Sequence, residues 1–147
     1  MSEHRATVEW QRSGEFRYET YSRNYKIFFN GTPVVGSAAP ENIPKTSATE
    51  PGIDPEQAFV AALSGCHMLW FLHLAAQREW VVESYVDEAV GILDKTWMSK
   101  VTLRPTVTFS GEKPTEDEHS ALHHRAHEKC FIANSVKTEV VVQPCLR

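Results

Sequence analysis

The chain has 147 residues, of which 41 % are hydrophobic and 23 % charged, the balance of one ordinary globular domain. Its net charge of −4 excludes the strongly basic surface of a nucleic-acid-binding protein. Three cysteines are too few for a disulfide scaffold. No apolar stretch typical of a signal peptide follows the N-terminus, so we expect a cytoplasmic protein with reduced thiols.

Short alternating segments predict the first β-strands. Residues 6–10 and 16–21 alternate between polar and apolar side chains, which predicts a hairpin. Residues 25–29 predict a third strand, ended by an Asn-Gly turn. Residues 40–52 are a polar, proline-rich loop. The N-terminal third is therefore predicted to be sheet and loop.

The most apolar segment is residues 58–76, nineteen residues without an acid, lysine or arginine. Its length approaches the roughly 18–20 residues of a membrane-spanning helix, but it contains serine, glycine, cysteine and two histidines. Asp54 suits the N-cap of a helix, and Pro55 and Glu56 suit its first turn. We predict a buried central helix that runs to about Trp80, wrapped by a sheet or a partner chain rather than by a membrane.

The second half of the chain returns to strands. Residues 81–95 and 101–109 alternate and predict two long strands. Residues 115–118 have the pattern of a capping box and predict a second helix that ends near Lys129. Residues 137–142 predict a last strand. This order, without repeats or linkers, predicts a single α+β domain across all 147 residues.

Two of the three cysteines lie on the predicted helices. Cys66 lies within the apolar helix and Cys130 ends the second helix, whereas we expect Cys145 only to pack. A cysteine reacts as the thiolate, which a nearby positive charge must stabilise. Cys66 lies ten residues after Glu56, too far for the helix dipole to act, so a cation from elsewhere or a protonated histidine is needed. On spacing alone, an inert core thiol remains an alternative.

Two cysteine motifs carry a family resemblance. Residues 54–68, DPEQAFVAALSGCHM, resemble the central helix motif of the OsmC/Ohr family, the osmotically inducible and organic hydroperoxide resistance proteins. Residues 126–136, AHEKCFIANSV, are similar to the second cysteine motif of the family, and residues 21–25 and 101–105 are similar to one OsmC-like branch. The resemblance implies antiparallel sheets wrapped around a long apolar helix, a second helix, and an intertwined homodimer.

The resemblance also implies a thiol-dependent peroxidase for organic hydroperoxides, with no bound cofactor or metal. Cys66 would be the peroxidatic cysteine, whose thiolate attacks the O–O bond, releases an alcohol and becomes a sulfenic acid. Cys130 would be the resolving cysteine, which condenses with that sulfenic acid to a disulfide. An external dithiol would then reduce the disulfide by exchange.

In this family an arginine stabilises the peroxidatic thiolate and a glutamate holds that arginine. Glu56 is similar to the glutamate by its position ten residues before the cysteine. The loop before the central helix contains only Lys45 as a cation, which favours an arginine from the early strands. Among these we select Arg23, with Arg12 and Arg17 as competitors and an ordinary solvated strand charge as the alternative.

The geometry of the central helix bears on how these groups could meet. On an unbroken helix, Glu56 and Cys66 are separated by about 15 Å of rise and face directions about 80° apart. Either the helix breaks near Gly65, or Glu56 and Arg23 reach Cys66 from a second subunit. The intertwined dimer of the family agrees with the second option, so we expect an obligate homodimer with active sites at the interface.

Histidines of the second helix suggest an alternative function. His119, His123 and His127 follow one another at four-residue intervals, and Cys130 comes three residues later. Imidazole and thiolate at this spacing, with Cys66 and His67 approaching from the central helix, could bind one zinc or copper ion. No C-x-x-C pair supports such a site, and the stripe borders the apolar face, so we expect these histidines on the solvated flank of the helix.

A third possibility is a non-catalytic module that binds a small apolar ligand between helix and sheet. Ordinary core packing is the competing explanation for the side chains concerned. The side chains that could line such a pocket are Phe59, Met68, Trp70, Phe71 and Phe131. Replacing Cys66 by serine would separate the two classes, because turnover would be lost in an enzyme and ligand binding retained in a module.

Overall fold

Two helices and nine strands make up the protein, which confirms the predicted α+β class. The computed structural model describes all 147 residues. In chain order the elements are β1 (Thr7–Glu9), β2 (Tyr25–Phe29), β3 (Thr32–Gly36), α1 (Pro55–Ala76), β4 (Val81–Asp87), β5 (Val90–Asp94), β6 (Trp97–Leu103), β7 (Pro105–Ser110), α2 (Glu116–Lys129), β8 (Glu139–Val142) and β9 (Cys145–Leu146). Short 3₁₀ turns occur at Pro40–Asn42 and Ala133–Ser135. The chain divides into two compact units, residues 1–58 and 59–147.

The first unit contains the antiparallel sheet β1-β2-β3. Asn30 and Gly31 join β2 to β3 with φ values of 50° and 83°, which confirms the predicted turn. The predicted hairpin is wrong, because residues 16–21 form no strand and β1 pairs with β2 instead. The rings of Trp10 and Phe16 lie 5.5 Å apart, so the alternating aromatic residues form a loop cluster rather than a strand.

Reciprocal side-chain contacts start α1. The Asp54 carboxylate accepts a hydrogen bond from the Gln57 N–H (2.7 Å), and the Gln57 side chain accepts one from the Asp54 N–H (3.2 Å). These two bonds satisfy backbone donors that a helix start leaves free. The helix ends at Ala76, four residues before the predicted Trp80, and the chain turns at Glu79, whose φ is 60°.

The second unit contains two three-stranded sheets, β4-β7-β9 and β5-β6-β8. The single strand predicted over residues 81–95 is therefore two strands in different sheets. Asp87 ends β4, where its carboxylate accepts hydrogen bonds from the Ser64 hydroxyl (2.5 Å) and the Arg104 N–H (2.6 Å). Arg104 likewise separates β6 from β7 within the strand predicted over residues 101–109.

The sheets of the second unit are mixed rather than purely antiparallel. β6 pairs in parallel with β8, and β7 pairs in parallel with β9. The C-terminal strands therefore add to the edges of sheets already formed by antiparallel pairs. The predicted antiparallel pairs are present, and two short parallel pairs add to them.

The predicted capping box starts α2. The Thr115 hydroxyl accepts from the Glu118 N–H (3.3 Å), and the Glu118 carboxylate accepts from the Thr115 N–H (2.9 Å). The helix ends at Lys129 as predicted, and Cys130 is its C-cap.

Helix α1 is buried on one face and exposed on the other. Phe71 and Leu74 pack in one core cluster with Val107 of β7 and Leu122 of α2. On the opposite face the Leu69 side chain is 64 % exposed, and Ala61, Ala62 and Ala76 are also exposed. By length and composition α1 could cross a membrane, a test that core helices of soluble proteins also pass. Within residues 59–147, only one side of this apolar helix is therefore covered.

Candidate functional site

Helices α1 and α2 bring together two thiols that are 64 residues apart in sequence, Cys66 and Cys130. Both are free: Cys66 is half-buried, and Cys130 is only 1 % exposed. Burial and, next, a hydrogen bond with the Cys66 thiol raise the pKa of Cys130 to about 11. Cys130 is therefore a protonated thiol at neutral pH, held against the more accessible Cys66.

The end of α2 fixes the position of Cys130. Its N–H donates to the His127 carbonyl (3.1 Å), and its own carbonyl accepts from the Asn134 N–H (3.0 Å). Its sulfur accepts from the Ala133 N–H (3.4 Å). The Asn134 amide also donates to the Glu128 carbonyl (3.0 Å) and closes the helix end. The thiol is thus anchored by backbone contacts on both sides.

Aromatic side chains and one cation surround the end of α2 next to Cys130. The Trp70 and Phe131 rings lie 5.5 Å apart, edge to face, and the Lys129 ammonium lies 5.4 Å from the Trp70 ring centre. Phe131 is 68 % exposed, so this patch can contact an apolar molecule from solvent. Phe71, in contrast, is fully buried in the core and lines no such surface.

Arg23 lies in the irregular segment before β2 and not in a strand, which corrects its predicted location. Its guanidinium donates to the carbonyls of Tyr18 (2.8 Å) and Tyr21 (3.2 Å) and to the Ser47 hydroxyl (3.1 Å). It also lies 3.9 Å from the centre of the Tyr21 ring. These contacts fix the guanidinium within the first unit, whereas both thiols belong to the second.

Glu56 lies in the first turn of α1, which is one continuous helix through Gly65 to Ala76. The predicted alternative of a helix break near Gly65 is therefore wrong. Within one chain, Glu56 and Cys66 are separated by about 15 Å along the helix axis. Burial, followed by the carboxylates of Asp54 and Glu56, raises the pKa of the Tyr25 hydroxyl.

Three buried histidines form a hydrogen-bonded chain between α1 and α2. His67 Nε2 lies 2.9 Å from His123 Nδ1, and His123 Nε2 lies 3.2 Å from His119 Nε2. Burial lowers the pKa of His67 to about 4 and that of His123 to about 2. The expected solvated location of His119 and His123 is wrong: both rings pack against Phe71, and the His123 ring stacks on it at 4.2 Å.

The metal site considered as an alternative does not form from these residues. His119 and His123 direct nitrogens at each other and at His67, while Cys130 lies against Cys66. No group of three or more histidine, cysteine or acidic side chains is arranged to hold a metal ion. His67 meets this stripe from the central helix, but as a hydrogen-bond partner of His123 rather than as the metal ligand considered for it. Its position four residues after Leu63 and four before Phe71, on the buried face, was the available signal.

The free dithiol between α1 and α2 and the mixed α+β architecture agree with the family that the two cysteine motifs resemble. The sequence model of the family described as "OsmC-like protein" matches residues 47–144. The chain therefore belongs to the OsmC-like family. The comparison with curated proteins found no match.

Solved structures of the same family share the fold along nearly the whole chain. An OsmC-like protein of unknown function from Vibrio cholerae is 50 % identical, with a TM-score of 0.92, 99 % of this chain covered and 100 % of that one. The organic hydroperoxide resistance protein OsmC from Legionella pneumophila is 17 % identical, with a TM-score of 0.66 and coverage of 99 % and 98 %. OhrB, the organic hydroperoxide resistance protein of Bacillus subtilis, is 18 % identical, with a TM-score of 0.61 and coverage of 97 % and 98 %.

Proposed function

We propose that this protein is a thiol-dependent peroxidase that reduces organic hydroperoxides through Cys66 and Cys130. The observation that carries the proposal is the approach of two free thiols from separate helices. Their environments also support different roles. Because burial keeps Cys130 protonated, the more accessible Cys66 is the thiol left to attack a peroxide.

The proposed cycle has two covalent steps. The Cys66 thiolate attacks one peroxide oxygen, so an S–O bond forms, the O–O bond breaks, and the alkoxide takes up a proton and leaves as an alcohol. The Cys130 sulfur then attacks the Cys66 sulfenic acid, so an S–S bond forms and the hydroxyl leaves as water with the thiol proton. An external dithiol restores both thiols by exchange and is itself oxidised to a disulfide.

The aromatic patch beside the thiols supports an organic rather than an inorganic peroxide. Trp70 and the exposed Phe131 offer apolar surface to an alkyl group, which hydrogen peroxide lacks. We therefore propose hydroperoxides with bulky apolar groups as substrates.

The proposed source of positive charge is Arg23, oriented by Glu56 from a second subunit of an obligate homodimer. The continuity of α1 supports this arrangement, because it keeps Glu56 far along the helix from Cys66 in the same chain. The exposed apolar face around Leu69 supports a partner that covers it. We expect a dimer in sedimentation at micromolar concentration. A fully active monomer would contradict the dimer and the shared site.

The direct test adds one equivalent of cumene hydroperoxide to the fully reduced protein. We expect intact mass to fall by two hydrogens within seconds to minutes, and peptide mapping to find a Cys66–Cys130 bridge. A Cys145→Ser variant is the matched control and should behave identically, because Cys145 lies exposed on the last strand. Three free thiols after several minutes would contradict the proposed function.

A further inference from the structure

The proposed cycle leaves the chain of three buried histidines without a role. One of its hydrogen bonds, between His67 and His123, is the second polar contact between the two helices that carry the thiols. On α1, His67 is the residue next to Cys66, and on α2, His123 lies two turns before Cys130. The contact between the thiols and the contact between the imidazoles therefore join the same two helices.

The hydrogen bond between His67 and His123 constrains the two helices more sharply than their apolar contacts do. Apolar packing is non-directional, whereas a hydrogen bond requires a defined donor–acceptor distance and angle. Here the two nitrogens lie 2.9 Å apart, and both residues are at most 2 % exposed. The His123 ring is also stacked on Phe71 of α1 at 4.2 Å, which restricts its rotation.

A disulfide makes a comparable demand on geometry. The Cα atoms must lie within about 7 Å and the Cβ atoms must point toward each other. A misplacement of about 1 Å in a reacting group can slow a reaction on the order of 10²-fold. The separation of α1 and α2 near Cys66 therefore controls how readily the bond to Cys130 forms.

We propose that His67 and His123 are positioning residues for the thiol pair: their hydrogen bond holds α1 and α2 at the separation that favours the Cys66–Cys130 disulfide. The inference rests on the proposed function only for the existence of that disulfide. Neither histidine exchanges a proton with substrate in this role. The bond acts by fixing the distance between two helices.

The test measures the equilibrium between dithiol and disulfide in glutathione buffers of graded redox potential. For His67→Leu we expect the constant for disulfide formation to fall about 10-fold, which corresponds to a reduction potential about 30 mV higher. For His67→Gln we expect a constant close to that of the natural protein, because the Gln amide can replace Nε2 as the partner of His123. Loss of the disulfide in both variants alike would overturn the hydrogen-bond role.

His119→Leu is the matched control for a merely structural effect. It removes the other buried hydrogen bond of His123, but that bond lies within α2 and joins no second helix. We expect His119→Leu to lower the free energy of unfolding of the reduced protein as His67→Leu does, and to leave the disulfide equilibrium unchanged. An equal shift of the equilibrium in both variants, or no shift in His67→Leu, would overturn the inference.

The same experiment separates this inference from the proposed function. If glutathione disulfide produces the Cys66–Cys130 bond and His67→Leu weakens it, the positioning role is supported even where cumene hydroperoxide fails to react. Failure of the hydroperoxide alone would contradict the peroxidase. If no buffer produces the bond in the natural protein, the positioning role is overturned as well.

Discussion

Replacing Cys66 by serine should lower the rate of hydroperoxide reduction by roughly 10³-fold or more, to the rate without protein. Serine fits the same half-buried position on α1, so the helix and its packing should remain. Its hydroxyl is a weak nucleophile at neutral pH, because its pKa lies far above that of a thiol. The rate is measured as consumption of cumene hydroperoxide with dithiothreitol as the external dithiol.

Two further variants make this result specific. Cys145→Ser should keep the rate of the natural protein. Without dithiothreitol, Cys130→Ser should complete one reduction and then stop as the Cys66 sulfenic acid, which dimedone traps and mass spectrometry detects. Substantial, repeated turnover by Cys66→Ser would contradict the assignment of Cys66 as the peroxidatic cysteine.

The free energy of unfolding should fall steeply as the pH drops from 6.5 toward 4. Burial lowers the pKa of His67 from 6.5 to about 4, so the unfolded chain binds a proton more readily than the folded protein over this interval. The contribution of His67 to the free energy of unfolding is therefore fully present above pH 6.5. It is lost on acidification toward pH 4, by roughly 3 kcal/mol for His67 alone. His123, whose pKa is lowered further, adds to the loss.

Urea unfolding at pH 7 and pH 4 measures this difference. Besides burial, repulsion from His127 lowers the pKa of His67, and repulsion from His119 lowers that of His123. Within residues 59–147 none of the three bonded imidazoles forms an ion pair with a carboxylate. Carboxylates titrate in the same interval, so His67→Leu is the control and should lose about 3 kcal/mol less than the natural protein. Equal losses in both proteins would contradict the prediction.

Elements whose signals are local could be predicted from the sequence. The start of α2 depends on Thr115 and Glu118, which contact each other's backbone within one turn. The turn at Asn30 and Gly31 depends on positive φ values that these two residue types adopt readily. In both places the residues that determine the structure are neighbours in the sequence.

Elements that depend on distant contacts could not be predicted in the same way. The break after Asp87 is stabilised by Ser64 and Arg104, which lie 23 and 17 residues away. The burial of His123 requires His67, 56 residues away on another helix. A helical period identifies the face on which a histidine lies, but it does not reveal a partner that satisfies the ring nitrogens in the core.

The two cysteines illustrate a different limit. Their motifs identified the family, and the expected partners Arg23 and Glu56 came with that resemblance. Periodicity alone could not show that Cys66 and Cys130 approach each other, because their contact depends on how α1 packs against α2. The remaining part of the candidate site, Arg23 and Glu56, we propose to come from a second subunit.

The raised pKa of Cys130 has a consequence for the order of events in the proposed cycle. An ordinary vicinal dithiol offers two competing nucleophiles, and either can be consumed by a passing electrophile. Here burial keeps the Cys130 thiol protonated and away from electrophiles in solvent. In the proposed cycle, Cys130 therefore reacts only after the Cys66 sulfur beside it has become an electrophilic sulfenic acid. The order of attack and resolution in the proposed cycle therefore follows from the burial of Cys130 and from its position beside Cys66.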